Sequence, residues 1–305
     1  MLVRKLLCAL VLTLSLSACA AGQLLKVIPG TDGSGRATQQ WREMMARRLP
    51  EGKFREIEPL VKPYNAQEQK WLELIESKAA NWETEIPRLA APFRPVAAPE
   101  AQIVVGNRGA DDAFTHDPHT IGFDVERLNA LYGNAQSPEN VARIDRFFRH
   151  EYTHLLQKAW FAKHPSPLNT PLRLALTEMW TEGMGNFYSL SETWRSQNGR
   201  PAPKTVETLR VLEPRMLARL SAVSCASSEQ AQRLTRDLSN GHFDEKWGAL
   251  PVALWLERES TNPETLRNYV LAGPDGFWDL ARRNLSPELK LILQEIRAVD
   301  DKCKE

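Results

Sequence analysis

The sequence has little excess charge of either sign and few cysteines. Lysine and arginine number 39 in the 305 residues and aspartate and glutamate 38, which leaves a formal net charge of +1. Because no basic stretch approaches the charge density that a phosphate backbone requires, we expect no nucleic-acid partner. The four cysteines form no Cys-x-x-Cys pair, which excludes zinc sites of that type. A chain with 42% hydrophobic residues and nine tryptophans can bury one large core or two lobes.

Apolar runs are also short, and the most informative one lies near the amino terminus. Two basic residues precede residues 6–16, which are mostly apolar but too few to span a bilayer comfortably. This arrangement, followed by small residues, predicts a secretory signal peptide over residues 1–18. The stretch Leu16-Ser17-Ala18-Cys19 resembles the lipobox of bacterial lipoproteins, which implies that Cys19 is the lipidated first residue of the mature chain. The alternative is ordinary cleavage near Ala18-Cys19-Ala20, with the cysteine incidental.

Export would place the rest of the chain in an oxidising compartment. Ala20 stands where an aspartate would indicate inner-membrane retention, so the lipobox resemblance implies anchoring in the outer membrane, facing the periplasm. Residues 19–37 include the glycine-containing stretch 29–35 and are predicted to form a flexible tether. Cys225 and Cys303 are expected to form a disulfide, with two independent thiols as the alternative. The lipid anchor is the expected contact with the membrane.

The motif His150-Glu151-Tyr152-Thr153-His154 carries the clearest chemical signal in the chain. It has the form H-E-x-x-H, and on a helix residues i and i+4 lie one turn apart on the same face. Two imidazoles in that arrangement can bind one zinc ion, and Glu151 can then reach a water held on the metal. The alternative is a structural histidine pair on a solvated helix face.

The residues around this motif predict a helix by independent signals. Ser137 suits an N-cap, Pro138 the first helical position and Glu139 the positive end of the helix dipole. A buried stripe then recurs at spacings of three, four and seven residues: Val141, Ile144, Phe148, Leu155 and Ala159. The two histidines point beside this stripe, so the helix is expected to carry a metal pair on one flank and core residues on the other.

A catalytic zinc site usually has three protein ligands and one open position, so a third ligand is expected downstream. Thr170 as N-cap and Pro171 at the first position indicate a second helix. Glu178 and Glu182 lie four residues apart on it and share a face. One can bind zinc while the other hydrogen-bonds to a ligand and orients it.

With both helices in view, H-E-x-x-H followed by Trp180-x-Glu182-Gly183-Met184-Gly185 resembles the gluzincin metallopeptidases. The resemblance covers residues 137 to about 190 and implies a zincin-like fold with Zn²⁺ as cofactor. It implies Glu182 as the third ligand, with Glu178 as the alternative, and Asn186 where thermolysin-like members place an acidic residue behind the ligands. The tryptophan stands one residue closer to the glutamate than in many members, and the stretch between the second histidine and the glutamate is longer. No G-x-M-E-N stretch is present, so aminopeptidase activity is not supported.

The pattern along the chain predicts an α+β fold that is mostly helical. Residues 38–100 are expected to form an N-terminal helical segment, residues 101–195 a zincin-like catalytic core with a small β-sheet, and residues 196–305 a C-terminal helical lobe. The clearest strands are residues 103–105 and 120–125, separated by a polar loop. By analogy with zincins, residues 120–125 are the candidate edge strand for pairing with an extended substrate, and a plain structural strand is the alternative.

Hydrolysis also requires a donor for the charge that develops on the substrate oxygen. Gluzincins commonly take a tyrosine or histidine from the C-terminal lobe for this purpose. His242 and Tyr269 are the candidates here, and a surface histidine and a core tyrosine are the alternatives. His116 and His119, in the polar loop, are interpreted as surface residues.

Together these observations predict a lipid-anchored periplasmic zinc hydrolase, a peptidase acting on peptide or protein substrates with Glu151 as general base. A second enzymatic interpretation keeps the metal but acts on a different amide, for instance in cell-wall peptides. The rival from another class is a non-catalytic zincin-like lipoprotein that acts in binding or envelope assembly. The intact Glu151 argues against that rival, since a binding protein needs no base beside its ligands.

Overall fold

The computed structural model describes residues 24–32, 34–49, 62–165, 169–260 and 262–302. Most of these residues are helical and a four-stranded mixed sheet accompanies them, consistent with the predicted α+β class. The strands are β1 (Leu25–Pro29), β2 (Ala101–Gly106), β3 (Ala113–Asp117) and β4 (Thr120–Asp124). The helices are α1 (Gln39–Arg48), α2 (Ala66–Ala90), α3 (Val125–Tyr132), α4 (Pro138–Lys163), α5 (Pro171–Ser189), α6 (Pro203–Ser224), α7 (Ser228–Thr235), α8 (Ala249–Glu259), α9 (Pro263–Ala272), α10 (Gly276–Asn284) and α11 (Pro287–Lys302).

The sheet has the order β1-β2-β4-β3, which corrects the predicted edge strand. Strand β4 pairs in parallel with β2 and antiparallel with β3, so residues 120–125 do not form an edge. The edge strands among the described residues are β1 and β3, and β3 lies in the segment predicted as a polar loop. Its side chains are half-buried apart from Phe114, whereas all five residues of β4 are buried. An edge strand keeps polar residues because one side meets solvent, and this composition is similar to that of a loop.

The amino-terminal end of the described chain is folded, although residues 19–37 are predicted to be a flexible tether. Residues 25–29 form β1 and pair with residues 101–105 of β2 in parallel. The stretch after β1 is a turn, in which the Asp32 carboxylate accepts hydrogen bonds from the backbone of Ser34 and Arg36. Apolar and β-branched residues in β1 supply the buried contacts that a tether would not need.

Helix α4 begins as its sequence predicts and buries the central part of the expected stripe, while Val141 and Ala159 are half-buried. Ser137 is the N-cap, and its side chain accepts a hydrogen bond from the backbone nitrogen of Asn140. Ile144, Phe148 and Leu155 of the predicted stripe are fully buried. Phe148 stacks on Trp82 of α2 with ring centroids 4.6 Å apart, which fixes the helix against the α2 layer.

Helix α5 is apolar on nearly every side, the pattern of a helix enclosed by others. Thr170 caps its first turn, as predicted. Two glycines allow close approach: a Cβ at Gly183 would lie 2.8 Å from the Cβ of Val252 on α8, and one at Gly185 would lie 2.8 Å from Cε1 of His150 on α4. Helix α5 is therefore held tightly between α4 and α8.

The two faces of the sheet belong to two apolar clusters. Because successive strand residues point to opposite faces, Ile103 and Val105 lie in a large cluster while Val104 points away from it. The large cluster contains residues from all three predicted segments and includes most of the helices. The smaller one lies under α1 and consists of Trp41, Met44, Met45, Val104 and Phe114.

Several predictions about export and cysteines concern residues beyond those described. The signal peptide, Cys19 and Cys303 lie outside the described residues, so lipidation and the predicted disulfide stay predictions. Cys225 is exposed at the end of α6. Within the described ranges, no helix combines the length and the apolar character needed to cross a bilayer.

Candidate metal centre

Two imidazoles and one carboxylate converge between α4 and α5. His150 and His154 lie one turn apart on α4. The Nε2 atom of His150 lies 3.5 Å from Oε2 of Glu182 on α5, and the Nε2 atom of His154 lies 3.5 Å from Oε1 of the same carboxylate. One ligand atom from each of the three residues lies within 4.8 Å of the other two. The predicted histidine pair and the favoured third residue thus form one cluster that can hold a metal ion.

The spacing of these atoms fits a zinc ion. Bonds of about 2.0 to 2.2 Å in tetrahedral geometry separate neighbouring ligand atoms by about 3.4 Å. The nitrogen-to-oxygen separations here are both 3.5 Å, with a different carboxylate oxygen of Glu182 facing each histidine. Two imidazoles with one carboxylate are a donor set of catalytic zinc sites, in which the fourth position is open to water or substrate.

The charges of the cluster suit a cation. Burial raises the pKa of Glu182, but the imidazoles of His154 and His150 outweigh it and bring that pKa down to about 2. Glu182 is therefore a carboxylate at neutral pH, as a metal ligand must be. Burial lowers the pKa of His150, whereas the hydrogen bond to Glu182 and the charge of Glu151 raise it, and the net shift is upward. Protons and a metal cation thus compete for His150.

Gln157 fixes the orientation of His154, and the motif alone did not identify it. Its side-chain nitrogen donates to the carbonyl oxygens of Trp180 at 3.3 Å and Thr181 at 3.0 Å on α5. Its Oε1 therefore faces His154 and accepts a hydrogen bond from Nδ1 at 2.9 Å. This places the imidazole proton on Nδ1 and leaves the Nε2 lone pair for a metal. The available sequence signal was a glutamine three residues after the second histidine, on the same helix face.

Glu151, the predicted general base, is buried next to the ligands. Thr115 on the edge strand β3 donates a hydrogen bond from Oγ1 to Glu151 Oε2 at 2.8 Å. The same hydroxyl oxygen lies 3.2 Å from the backbone carbonyl oxygen of Glu151. The Glu151 carboxylate is thereby fixed between α4 and the sheet edge. Thr115 had no sequence signal, because its strand is polar enough to be predicted as a loop.

Glu178 does not belong to the ligand cluster. Its Oε1 accepts a hydrogen bond from Ser239 Oγ at 2.6 Å, and burial raises the pKa of its carboxyl. Asn186 is buried one turn after Glu182, and its side-chain nitrogen has no hydrogen-bond partner within the described residues. The geometry therefore favours Glu182 over Glu178 as ligand, and the supporting role of Asn186 stays a prediction.

The two predicted donors for the substrate oxygen lie in different surroundings. His242 is exposed, directly before the 3-10 turn Phe243–Glu245, and does not belong to the ligand cluster. Tyr269 is buried in the core, where burial raises its pKa and its backbone carbonyl accepts a hydrogen bond from the indole of Trp180. His116 lies on β3, and His119 Nδ1 contacts the backbone carbonyl of Glu100 at 3.1 Å.

Lys246 was not predicted from the sequence but acts electrostatically on the cluster. Its ammonium charge lowers the pKa values of both Glu182 and His150. In turn, burial lowers the pKa of Lys246, while the carboxylates of Glu182, Asp112 and Glu151 oppose that shift. The sequence around Lys246 reads as an ordinary surface turn, so it gives no signal that this lysine affects the pKa values of Glu182 and His150.

Comparison of the chain with protein-family models, curated proteins and solved structures gives no match.

Proposed function

We propose that this protein is a zinc-dependent hydrolase that cleaves peptide bonds and has a zincin-like arrangement of α4, α5 and the sheet. The observation that carries the proposal is the convergence of His150, His154 and Glu182 beside the buried carboxylate of Glu151. A structural zinc site would be closed by four protein ligands. Three ligands with an acid next to them are the arrangement that hydrolysis needs.

Each residue of the centre has a defined task in this mechanism. A zinc ion held by the three ligands supplies Lewis-acid chemistry, because it polarises a carbonyl and lowers the pKa of water toward about 7. Glu151 accepts a proton from the attacking water and then donates it to the leaving amine nitrogen. Thr115 holds one oxygen of that carboxylate, so the other is directed to the water. Gln157 keeps His154 in the tautomer with a free Nε2 lone pair.

We propose that an extended peptide substrate pairs with β3. Among the described residues this strand pairs only with β4, so main-chain groups on its other side are available for strand addition. Thr115 joins the same strand to Glu151, so a peptide added there runs past the base. This arrangement favours a peptide or protein substrate over a small isolated amide.

The proposed location is the outer membrane, with lipid on Cys19 and the folded body facing the periplasm. Strand β1 begins at Leu25, six residues after Cys19. Six extended residues span at most about 20 Å. A lipidated protein would therefore act close to the membrane surface rather than at the end of a long tether, which suits substrates that are themselves in the envelope.

The test is a comparison of the purified soluble domain with a Glu151→Gln variant. We expect both proteins to bind one zinc per chain and to unfold at the same temperature. The variant should lose about 10²- to 10⁴-fold in hydrolysis of a peptide library, because an amide cannot accept the proton of water. Glu139→Gln, which changes an exposed glutamate in the first turn of the same helix, is the control and should keep full activity.

Two outcomes would contradict the proposal in different ways. Equal activity of the wild type and Glu151→Gln would exclude this carboxylate as the base. Zinc binding without cleavage of any peptide by the wild type would favour the non-catalytic zincin-like lipoprotein, which acts in binding or envelope assembly.

A further inference from the structure

Two hydrogen bonds hold helix α4 alongside strand β3. Thr115 Oγ1 on β3 donates to Glu151 Oε2 on α4 at 2.8 Å. Two residues further along β3, the backbone carbonyl of Asp117 accepts a hydrogen bond from Lys158 Nζ at 3.4 Å. Glu151 and Lys158 lie seven residues apart, so both side chains leave α4 on the same face. This face of α4 therefore lies along β3, with the proposed base at one point and a lysine two helical turns further on.

The position of Lys158 can be expressed in residues of a peptide paired with β3. Seven residues of helix separate Lys158 from Glu151 by about 10 Å along the axis, which is about three residues of an added strand. The β3 residues that contact them, Thr115 and Asp117, are two positions apart. Side chains of an added strand that lie opposite Thr115 point to the same face of the sheet, toward α4. A substrate side chain two or three residues from the reacting carbonyl therefore lies beside Lys158.

The charge of Lys158 is not neutralised by a neighbouring carboxylate. The residue is half-buried, and within the described ranges its ammonium has the hydrogen bond to the Asp117 carbonyl but no carboxylate at ion-pair distance. The Asp117 carboxylate instead accepts a hydrogen bond from the backbone nitrogen of His119 at 2.7 Å. Because an ammonium group has three donors, Lys158 keeps donors for a ligand.

Arg48, another cation beside β3, is by contrast already paired. Its guanidinium carbon lies 4.3 Å from the centroid of the Phe114 ring on β3. Its Nε donates to Asp111 Oδ2 at 2.8 Å, and Nη2 contacts the same oxygen at 2.5 Å. Lys158 thus differs from Arg48 in that its charge remains available to an anionic group of a substrate.

We infer that Lys158 determines substrate specificity by binding the carboxylate of an aspartate or glutamate side chain, two or three residues from the scissile bond, in a peptide paired with β3. The inference rests on the proposed function, because it takes strand addition at β3 and the base at Glu151 from it. It narrows the substrate class to acidic peptides or acidic segments of proteins. Lys158 contacts the substrate away from the reacting amide, so it has no part in breaking the bond.

The experiment compares the zinc-loaded full chain with Lys158→Met, which removes the charge, and Lys158→Glu, which reverses it. Lys163→Met is the matched control, because it removes an exposed lysine five residues later on the same helix, away from the face that carries Glu151 and Lys158. The substrates are peptides of one sequence, blocked at both ends so that terminal charges do not contribute. Glutamate, glutamine or lysine is placed in turn at each position up to three residues on either side of the scissile bond.

The first measurement is the steady-state kinetics of these peptides. At one position the wild type should prefer glutamate over glutamine by about 5- to 30-fold in kcat/KM, the worth of one hydrogen bond between charged groups. Lys158→Met should lose this preference through a higher KM with kcat unchanged, because the contact is the same in the ground state and the transition state. Lys158→Glu should prefer lysine at the same position, and Lys163→Met should behave as the wild type.

The glutamine peptides distinguish specificity from a structural role. If Lys158 served only to support the Asp117 carbonyl, Lys158→Met would lower kcat/KM equally for the glutamate, glutamine and lysine peptides, and the inference would be overturned. We expect instead that the glutamine peptide is cleaved by the wild type and by Lys158→Met at rates within about twofold of each other, since it has no charge to lose.

The second measurement is peptide binding, which does not depend on turnover. Fluorescence anisotropy of labelled glutamate and glutamine peptides is measured with the wild type and with Glu151→Gln, each with and without Lys158→Met. The dissociation constant of the glutamate peptide should rise about 5- to 30-fold on loss of Lys158, and that of the glutamine peptide should stay the same.

Failure of the inference and failure of the proposed function are distinguishable. Cleavage with no preference for glutamate at any position, or with a preference that Lys158→Met retains, would reject the role of Lys158 and leave the hydrolase standing. Absence of cleavage together with Lys158-dependent binding of the glutamate peptide would reject the proposed function and keep Lys158 as the residue that selects acidic peptides. Neither cleavage nor Lys158-dependent binding would reject both.

Discussion

Replacing Gln157 tests how the proposed metal centre is built, because this residue links the two helices that carry the candidate ligands. Its amide accepts from His154 Nδ1 at 2.9 Å and donates to the carbonyls of Trp180 and Thr181. Gln157→Leu keeps the approximate size of the side chain and removes all three hydrogen bonds. The imidazole then has no partner that holds the proton on Nδ1, and the tautomer with the proton on Nε2 cannot bind zinc through that atom.

The expected loss of zinc affinity follows from the contribution of a residue that hydrogen-bonds to a metal-ligating histidine. Loss of such a partner costs about 10- to 100-fold in metal affinity, which corresponds to about 1.4 to 2.7 kcal/mol. Gln157→Glu separates the two functions of the amide. A carboxylate still accepts from His154, so zinc affinity should stay at or above the wild-type value. It faces the two α5 carbonyls without a proton to donate, so the free energy of unfolding of the metal-free protein should fall by about 1 to 3 kcal/mol.

The assay is competition for zinc with a chromophoric chelator, together with urea unfolding of the metal-free proteins. Gln69→Leu, at an exposed position on α2, is the control and should change neither quantity. A zinc affinity of Gln157→Leu within about threefold of the wild type, in a normally folded protein, would refute the reasoning from the tautomer.

Three further predictions concern the remaining ligand, the helix contact and the anchor. Glu182→Gln should abolish stoichiometric zinc binding while Glu178→Gln keeps it, and zinc analysis after dialysis that showed the reverse pattern would exchange their roles. Gly185→Ala puts a methyl group 2.8 Å from Cε1 of His150, so the ring must move and zinc affinity should fall in the chelator assay while the circular dichroism spectrum is unchanged. Cys19→Ala should prevent incorporation of labelled fatty acid and membrane partitioning, whereas a wild-type protein with its amino terminus beyond Cys19 would contradict lipidation.

Local rules account for the parts of the site that the sequence predicted. The histidine pair depends only on the i, i+4 geometry of a helix, and the caps at Ser137 and Thr170 depend on residues within one turn. The apolar stripe of α4 can be read from spacing for the same reason. The C-terminal half was predicted to be helical from periodicity, and it is helical throughout most of its described length.

Sequence patterns failed where pairing between distant segments decides the outcome. Whether a strand lies at an edge depends on its neighbours in the sheet, so residues 120–125 were a candidate edge strand with a plain structural strand as the alternative, and β3 was predicted as a loop. Likewise β1 lies in a stretch predicted as a tether, and it is a strand because β2 pairs with it. Such pairings join residues far apart in the chain and leave little local signal.

The sequence by itself therefore determined a helix with two imidazoles that can hold a metal ion, a carboxylate next to them and a short choice of third ligands. Only the tertiary structure decided which of the candidate third ligands lies beside the histidines. Glu178 and Glu182 share one helix face, and the packing of α5 against α4 and α8 sets which of them meets the histidines. The same packing brings Thr115 to the site from a distant part of the chain. Helix geometry acts over one turn, whereas these contacts exist only once the whole core has formed.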